Sequence, residues 1–198
     1  NLDLAVEAVE EIAAAGGALG EVQLRELAES LAEAREGARR VKEVVVDLLT
    51  LGTESSPDSG AVIDLLGCAQ SAIRLCGAGL RQAARVVGPE GEPTRVRGAA
   101  QRVVQALINL LTNAMHAVGG RAKGAGCVEV RVGVADERTA FVEVRDNGCG
   151  MDEATRLQVF EPHFTTRSGS GGRGLGLAIV RRQIEAMGGS IAVESTLG

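Results

Sequence analysis

Between Ala99 and Val118 the sequence can form a helix of roughly five turns that is apolar on nearly every side. A helix of that kind cannot lie on a surface, so the rest of a domain has to be built over it. One line along it is polar: Arg102, Gln105, Asn109, Asn113 and His116, at spacings of 3, 4, 4 and 3. These spacings put all five on one face, as a single polar stripe on an otherwise buried helix. A chain of 198 residues, 45% hydrophobic and 24% charged, has enough apolar material to close such a core.

Asn109 and Asn113, four residues apart, point the same way from adjacent turns. Carboxamide oxygens are neutral oxygen ligands, able to meet Mg²⁺ without repelling nearby phosphate anions. Asn in a helix also commonly bonds only backbone or solvent. Downstream, Asp146 follows Val142 and Val144 at alternate positions, so its carboxylate is expected on the side those valines bury. There it needs a donor. Gly148 and Gly150 in Asp146-Asn147-Gly148-Cys149-Gly150 permit a close backbone approach, so a flat ligand with an exocyclic amine, such as adenine, could supply that donor. A plain Asp-Asn-Gly turn is the competing reading. From Asp152 to Gly172 the chain is polar and rich in small residues, the composition of a flap. It leads through Gly169, Gly171, Gly172, Gly174 and Gly176 into a helix from Leu175 to Met187, where a glycine-rich helix start could hold an anion.

The first 52 residues have a different character. Leu24, Leu27, Leu31, Ala34, Ala38, Val41, Val45 and Leu48 alternate at 3 and 4 over about four heptads, and Leu2, Val6, Val9 and Ala13 keep the same rhythm before a break at Gly16-Gly17-Ala18-Leu19-Gly20. This predicts an antiparallel helical hairpin. Alone it would leave half its apolar stripe wet, so a homodimeric four-helix bundle is expected. The first arm is the shorter, which suggests a bundle truncated at its N-terminus. Residues 53–60 read as a polar linker and 61–198 as a second domain.

That domain reads as a helix from Val62 to Cys76, a strand from Gln82 to Val87, a turn at Gly88 to Gly91, a short strand from Thr94 to Arg97 and the helix Ala99 to Val118. A hairpin follows, with Val128, Val130, Val132 and Val134 on one strand and Ala140, Val142 and Val144 on its return. The helix Leu175 to Met187 is capped by Gly188-Gly189, and a strand is expected from Ile191 to Glu194. The order predicts an α+β sandwich, one mixed sheet with helices on one face. A net charge of −5, three Phe and no Trp or Tyr argue against a nucleic-acid reader. No apolar run approaches the roughly 18 residues of a membrane span. Cys68, Cys76, Cys127 and Cys149 have no CxxC spacing, and the two histidines are far apart, which fits a reducing, cytoplasmic setting better than a zinc or disulfide framework.

Order and distance join these signals. Residues 61–198 resemble the ATP-binding catalytic domain of the GHKL superfamily, the Bergerat fold, and specifically that of sensor histidine kinases. QALINLLTNAMHA (Gln105 to Ala117) is similar to the Asn box, DNGCGM (Asp146 to Met151) to the first glycine box, FEPHFTTR (Phe160 to Arg167) to the Phe box and GRGLGLAIV (Gly172 to Val180) to the second glycine box. EAREGARRVKEVVVDLLTLG (Glu33 to Gly52) is similar to the second helix of that family's dimerisation and phosphotransfer bundle.

The resemblance implies ATP and Mg²⁺ as cofactors, a receiver domain of a response regulator as partner, and a homodimer through the N-terminal helices. It implies Asn109 and Asn113 as Mg²⁺ and phosphate contacts, Asp146 as acceptor for the adenine amine, and Gly148 and Gly150 as the turn of the base pocket. Thr165, Thr166 and Arg167 fall in the lid. Gly172, Gly174, Leu175 and Gly176 fall at the phosphate end, and His116 at a position often cationic or amide in the family. Superfamily ATPases and serine kinases resemble one another in a Glu where this chain has Asn109. An amide accepts no proton at neutral pH, so a nucleophile with its own lone pair, such as imidazole, suits the site better than water. The family's phosphoacceptor histidine has no counterpart in Asn1 to Ala15, and His116 and His163 lie inside the Asn and Phe boxes. The expectation is therefore a kinase core whose phosphoacceptor lies upstream. A nucleotide-sensing scaffold without phosphotransfer, and a GHKL ATPase or chaperone, are the alternatives.

Overall fold

We describe the fold from a computed structural model; the described residues are 25, 29–33, 37, 60–122, 124–166 and 174–197. The chain divides into two units, Asn1–Glu54 and Ser55–Gly198. In the first unit the described positions are helical, and Arg25 and Glu29, one turn apart, form an exposed ion pair at 3.4 Å. The rest of the expected hairpin, its dimer seam apart from Leu31, and the linker up to residue 59 lie outside the described residues.

The second unit begins with strand β1 (Val62–Asp64), helix α1 (Leu65–Ala83), strand β2 (Arg85–Glu90) and strand β3 (Arg95–Arg97). Asp64 explains this start. Its carboxylate accepts the Leu66 and Gly67 N–H groups at 3.1 and 3.2 Å, capping α1, and accepts the Thr94 N–H at 3.1 Å. One side chain thus ends a strand, begins a helix and ties both to the approach of β3, with which β1 pairs antiparallel, Ile63 opposite Val96. The helix expected from Val62 therefore begins three residues later. It also continues past Cys76, bending at Gly77 (φ +35°), so the following strand starts at Arg85 rather than Gln82. Gly88 and Gly91, expected to form a turn, flank the end of β2. Both have positive φ, and both lie where a β-carbon would collide with the Val130 and Val132 carbonyls.

Helix α2 (Ala100–Val118) follows, then the hairpin of β4 (Cys127–Asp136) and β5 (Thr139–Asp146). Asp136 closes the hairpin by accepting the Arg138 N–H at 2.8 Å. Strand β4 is central: β2 pairs with it in parallel and β5 antiparallel. The expected single mixed sheet is thus a three-stranded mixed sheet plus a separate two-stranded ribbon of β1 and β3. The alternating valines behave as their period requires. Val128, Val130 and Val132 are buried and form one core with Leu65, Ala72, Cys76 and Leu80 of α1 and Val103, Leu107, Leu111 and Val118 of α2.

Helix α3 (Glu153–Gln158) is capped by Asp152, which accepts the Thr155 N–H at 2.8 Å. Helix α4 (Gly176–Ala186) packs on α2 and buries Val180 and Gln183. It closes as its glycines predict: Gly188, at φ +79°, donates to the Glu185 carbonyl and Gly189 to that of Ile184. The strand expected at Ile191–Glu194 does not form. Burial alternates there, with Ile191 and Val193 half-buried between exposed neighbours, but the segment joins no ladder. Alternation gives a segment its faces; a strand also needs a neighbouring backbone in register.

Candidate functional site

The polar stripe of α2 is not fully buried. Arg102, Gln105, Asn109 and Asn113 are half-buried and His116 is exposed, while Val103, Ala106, Leu107, Leu111, Ala114 and Val118 fill the opposite side. The Gln105 amide reaches the Asn109 Oδ1 at 3.5 Å, a long contact that leaves that oxygen with acceptor capacity.

The turn after β5 is fastened to the last turn of α2. Gly148 is buried, and a β-carbon on it would sit 2.5 Å from the Ala117 carbonyl carbon. The Cys149 N–H donates to the Ala117 carbonyl at 3.1 Å, and the Arg121 guanidinium donates to the Gly148 carbonyl at 2.9 Å. Asn147 clips the other side of the turn to the start of β4, accepting the Cys127 N–H at 2.7 Å and donating to the Ala125 carbonyl at 2.9 Å. Gly150, at φ +67°, lies against the Thr196 carbonyl, and the Met151 N–H donates to the Ser195 hydroxyl at 2.9 Å. Sequence reasoning passed over Asn147 and Arg121. Asn147 stood in plain view inside the Asp-Asn-Gly motif, whereas nothing local marks Arg121.

Asp146 itself is exposed, contrary to the expectation that its carboxylate faces a buried side. Its parity is as expected, since it pairs with the buried Val128, but cover along β5 ends at Val144. One oxygen accepts the Gly148 N–H at 2.8 Å, which orients the carboxylate and leaves the other oxygen open. Beside this turn lies a cavity of about 190 Å³ lined by Ala117, Gly120, Arg121 and Cys149. A larger groove of about 510 Å³ lies at the opposite end of α2, against Ala100 and Val104, and contains none of the motif residues.

The Phe-box segment and the start of α4 also meet. Gly174, at φ +66°, lies against the backbone of His163 and Phe164, where a β-carbon would collide. His163 is itself at φ +66°. Thr165 is half-buried and Thr166 exposed at the end of this segment; Arg167 and Gly172 lie outside the described residues. Leu175 is the N-cap of α4 and supplies no side-chain cap to the first amides of that helix. Gly176 is not required by crowding, since a β-carbon there would meet nothing within 4 Å. Among the described residues no three His, Cys, Asp or Glu side chains cluster as a metal site. The Asn109 and Asn113 carboxamide oxygens could contribute to holding a divalent cation whose other ligands come from a bound molecule, the kind of arrangement Mg²⁺ commonly accepts.

A family model described as "Histidine kinase-, DNA gyrase B-, and HSP90-like ATPase" matches residues 98–198. The chain belongs to this ATPase family. A protein of Shewanella frigidimarina described as a sensor is 34% identical to it over 179 residues, 90% of this chain and 27% of that protein. The two-component sensor PprA of Pseudomonas aeruginosa is 39% identical over 127 residues, 62% of this chain and 14% of PprA. The crystal structure of full-length ShkA in complex with AMPPNP aligns with a TM-score of 0.63 at 26% identity, over 92% of this chain and 38% of that one. The chain thus spans 27% or less of the length of these two sensor relatives. Membership in the ATPase family accounts for the α+β fold of the second unit. Among the described residues of this family member, no helix is long and apolar enough to cross a membrane.

Proposed function

We propose that this chain is the kinase core of a two-component sensor histidine kinase. Residues 61–198 bind Mg·ATP, and its γ-phosphoryl is passed to a histidine outside the chain and on to an aspartate of a response-regulator receiver domain. The single observation that carries the nucleotide site is the joint between Gly148 and Ala117. It holds the Asp146 carboxylate, aimed by the Gly148 N–H, at the end of the helix that bears the Asn109–Asn113 stripe.

In this reading Asp146 accepts a hydrogen bond from the adenine amine through its open oxygen, which favours adenine over a base with a carbonyl there. Gly148 and Gly150 form the floor of the base pocket. Asn109 and Asn113 hold the phosphate end through neutral oxygens, with His116 at the close of the same stripe. Thr165, Thr166 and Arg167 belong to the lid, and Gly172, Gly174, Leu175 and Gly176 to the turn that leads into α4. Mg²⁺ bound at the carboxamides would offset charge on the phosphate oxygens. In the transfer the bond from the γ-phosphorus to its bridging oxygen breaks, a bond to an imidazole nitrogen forms, and ADP leaves. The protein contributes position and charge stabilisation. Asn109 provides no base for activating water, which favours an imidazole nucleophile over hydrolysis.

Residues 1–52 are read as the dimerisation and phosphotransfer hairpin, linked through 53–60, in a homodimer that operates in the cytoplasm. The deciding experiment incubates the protein, together with any segment that supplies the phosphoacceptor histidine, with ATP labelled at the γ-phosphate. Acid-labile, alkali-stable label on protein is expected. Steady phosphate release without label would place the chain among the ATPases, and nucleotide binding with neither outcome would make it a nucleotide sensor.

A further inference from the structure

Phe160 opens the segment that leads to Thr165 and Thr166, and it is held from outside that segment. The Arg181 guanidinium of α4 lies over its ring, 6.0 Å from the centroid. Arg181 is itself fixed by Glu185, one turn further on, at 2.9 Å. The hydrogen bond and charge of Glu185, and to a lesser degree the charge of Glu161, raise the Arg181 pKa. Within the segment the backbone bonds are local turns, Glu161 N–H to the Gln158 carbonyl at 2.8 Å and Phe164 N–H to that of Glu161 at 3.2 Å. A series of turns has no register of its own. Among the contacts that reach the segment from outside are Gly174 against His163 and Phe164, and Arg181 against Phe160.

We infer that Arg181 is a positioning residue for the phosphate end of the nucleotide site, acting through the Phe160 ring. The inference rests on the nucleotide site proposed above and assigns a role to a residue outside its motifs. In this assignment Arg181 acts through the ring and not by contact with the nucleotide. It sets where the chain from Phe160 to Thr166 begins, and α4, which packs on α2 and buries Val180, carries that setting. Adenine is held at the other end, on Asp146. A loosened segment should therefore be felt by the ligand that extends furthest toward it, ATP, and little by ADP.

Two readouts separate this from the reading it rests on. In the ligand-free chain, Arg181→Ala should speed hydrogen exchange at the Glu161 and Phe164 amides while leaving the β4 amides unchanged. In calorimetric titrations with Mg²⁺ present, the same variant should lose about two- to fivefold in ATP affinity with ADP unchanged, the size expected of an exposed cation–π contact. Arg181→Lys should restore part of the loss, and Arg181→Ala should have no further effect in a Phe160→Leu background. Unchanged exchange, equal losses for ATP and ADP, or independent effects of the two substitutions would each overturn the assignment. Should the unaltered chain bind no ATP, the proposed function falls and Arg181 loses its role toward nucleotide with it, even if exchange still shows it holding the segment.

Discussion

Gly148 sits against Ala117 with no room for a side chain: a β-carbon would come within 2.5 Å of both the Ala117 carbonyl carbon and its β-carbon. Backbone and a rigid methyl cannot swing aside as the end of a long side chain can. Gly148→Ala should therefore destabilise the second unit by about 1–3 kcal/mol, the usual cost of overpacking. Urea unfolding measures this, and a change within error would mean that the turn can move off α2 without penalty.

Asp146→Asn makes the opposite case. The side chain is exposed, and an asparagine oxygen can still accept the Gly148 N–H, so stability should change by no more than about 0.5 kcal/mol. Affinity for adenine nucleotides should fall about 10- to 100-fold, because a charged acceptor is lost and an amide donor can face the adenine amine. Calorimetric titration with ATP decides it; unchanged affinity would remove Asp146 from the site.

The four cysteines should react with a thiol reagent in an order set by burial. None of the four is in a disulfide; Cys149 is exposed, Cys127 half-buried, and Cys68 and Cys76 buried. Burial, followed by the nearby Asp64 carboxylate, pushes the Cys68 thiol pKa up, so it remains a protonated, slow nucleophile. Two thiols should titrate in the native chain, Cys149 first, and the other two only on unfolding. Bound ATP should slow Cys149, which lines the cavity beside the glycine turn. Rapid labelling of four would contradict the packing of α1.

Two carboxylates give the chain an acid-side pH dependence. Hydrogen bonds from the Thr155 hydroxyl and N–H hold the Asp152 pKa below its ordinary value, and those from the Arg138 N–H and the Thr139 hydroxyl do the same for Asp136. A depressed carboxylate stabilises the folded state above its unfolded pKa of about 3.9, and that contribution disappears as pH falls through the folded value. Melting temperature should decline below about pH 4, less steeply in Asp152→Ala. An identical slope in the variant would show that the α3 cap contributes nothing.

Much of this was legible from residue type and period. Val128, Val130 and Val132 marked the inner face of β4, the stripe from Arg102 to His116 marked a side of α2 away from its buried residues, and Gly188 and Gly189 marked the end of α4. The missed features depend on partners far along the chain. Asp64 reads as an ordinary acidic residue until Thr94 is brought beside it, and only then does β1 separate from α1. Asp146 follows the parity of Val144, yet parity says nothing of where the helices stop covering the strand. Arg121 and Arg181 carry no local mark at all, because what they hold, a carbonyl at Gly148 and a ring at Phe160, lies 27 residues away in one case and on another element in the other.

Helix α2 is pinned at both ends, at Ala99 by the N–H bonded to the Met187 sulfur at 3.5 Å and at Ala117 by the glycine turn. A rod fixed at two points cannot slide along its axis, so the spacing between the carboxamides and the glycine turn is set by helical pitch and not by the conformation of any loop. Loops around it can lengthen or shorten at little cost to that spacing. One residue inserted between Asn113 and Ala117 would turn the two carboxamides by about 100° relative to the glycine turn, leaving both halves of the site intact and no longer facing one ligand.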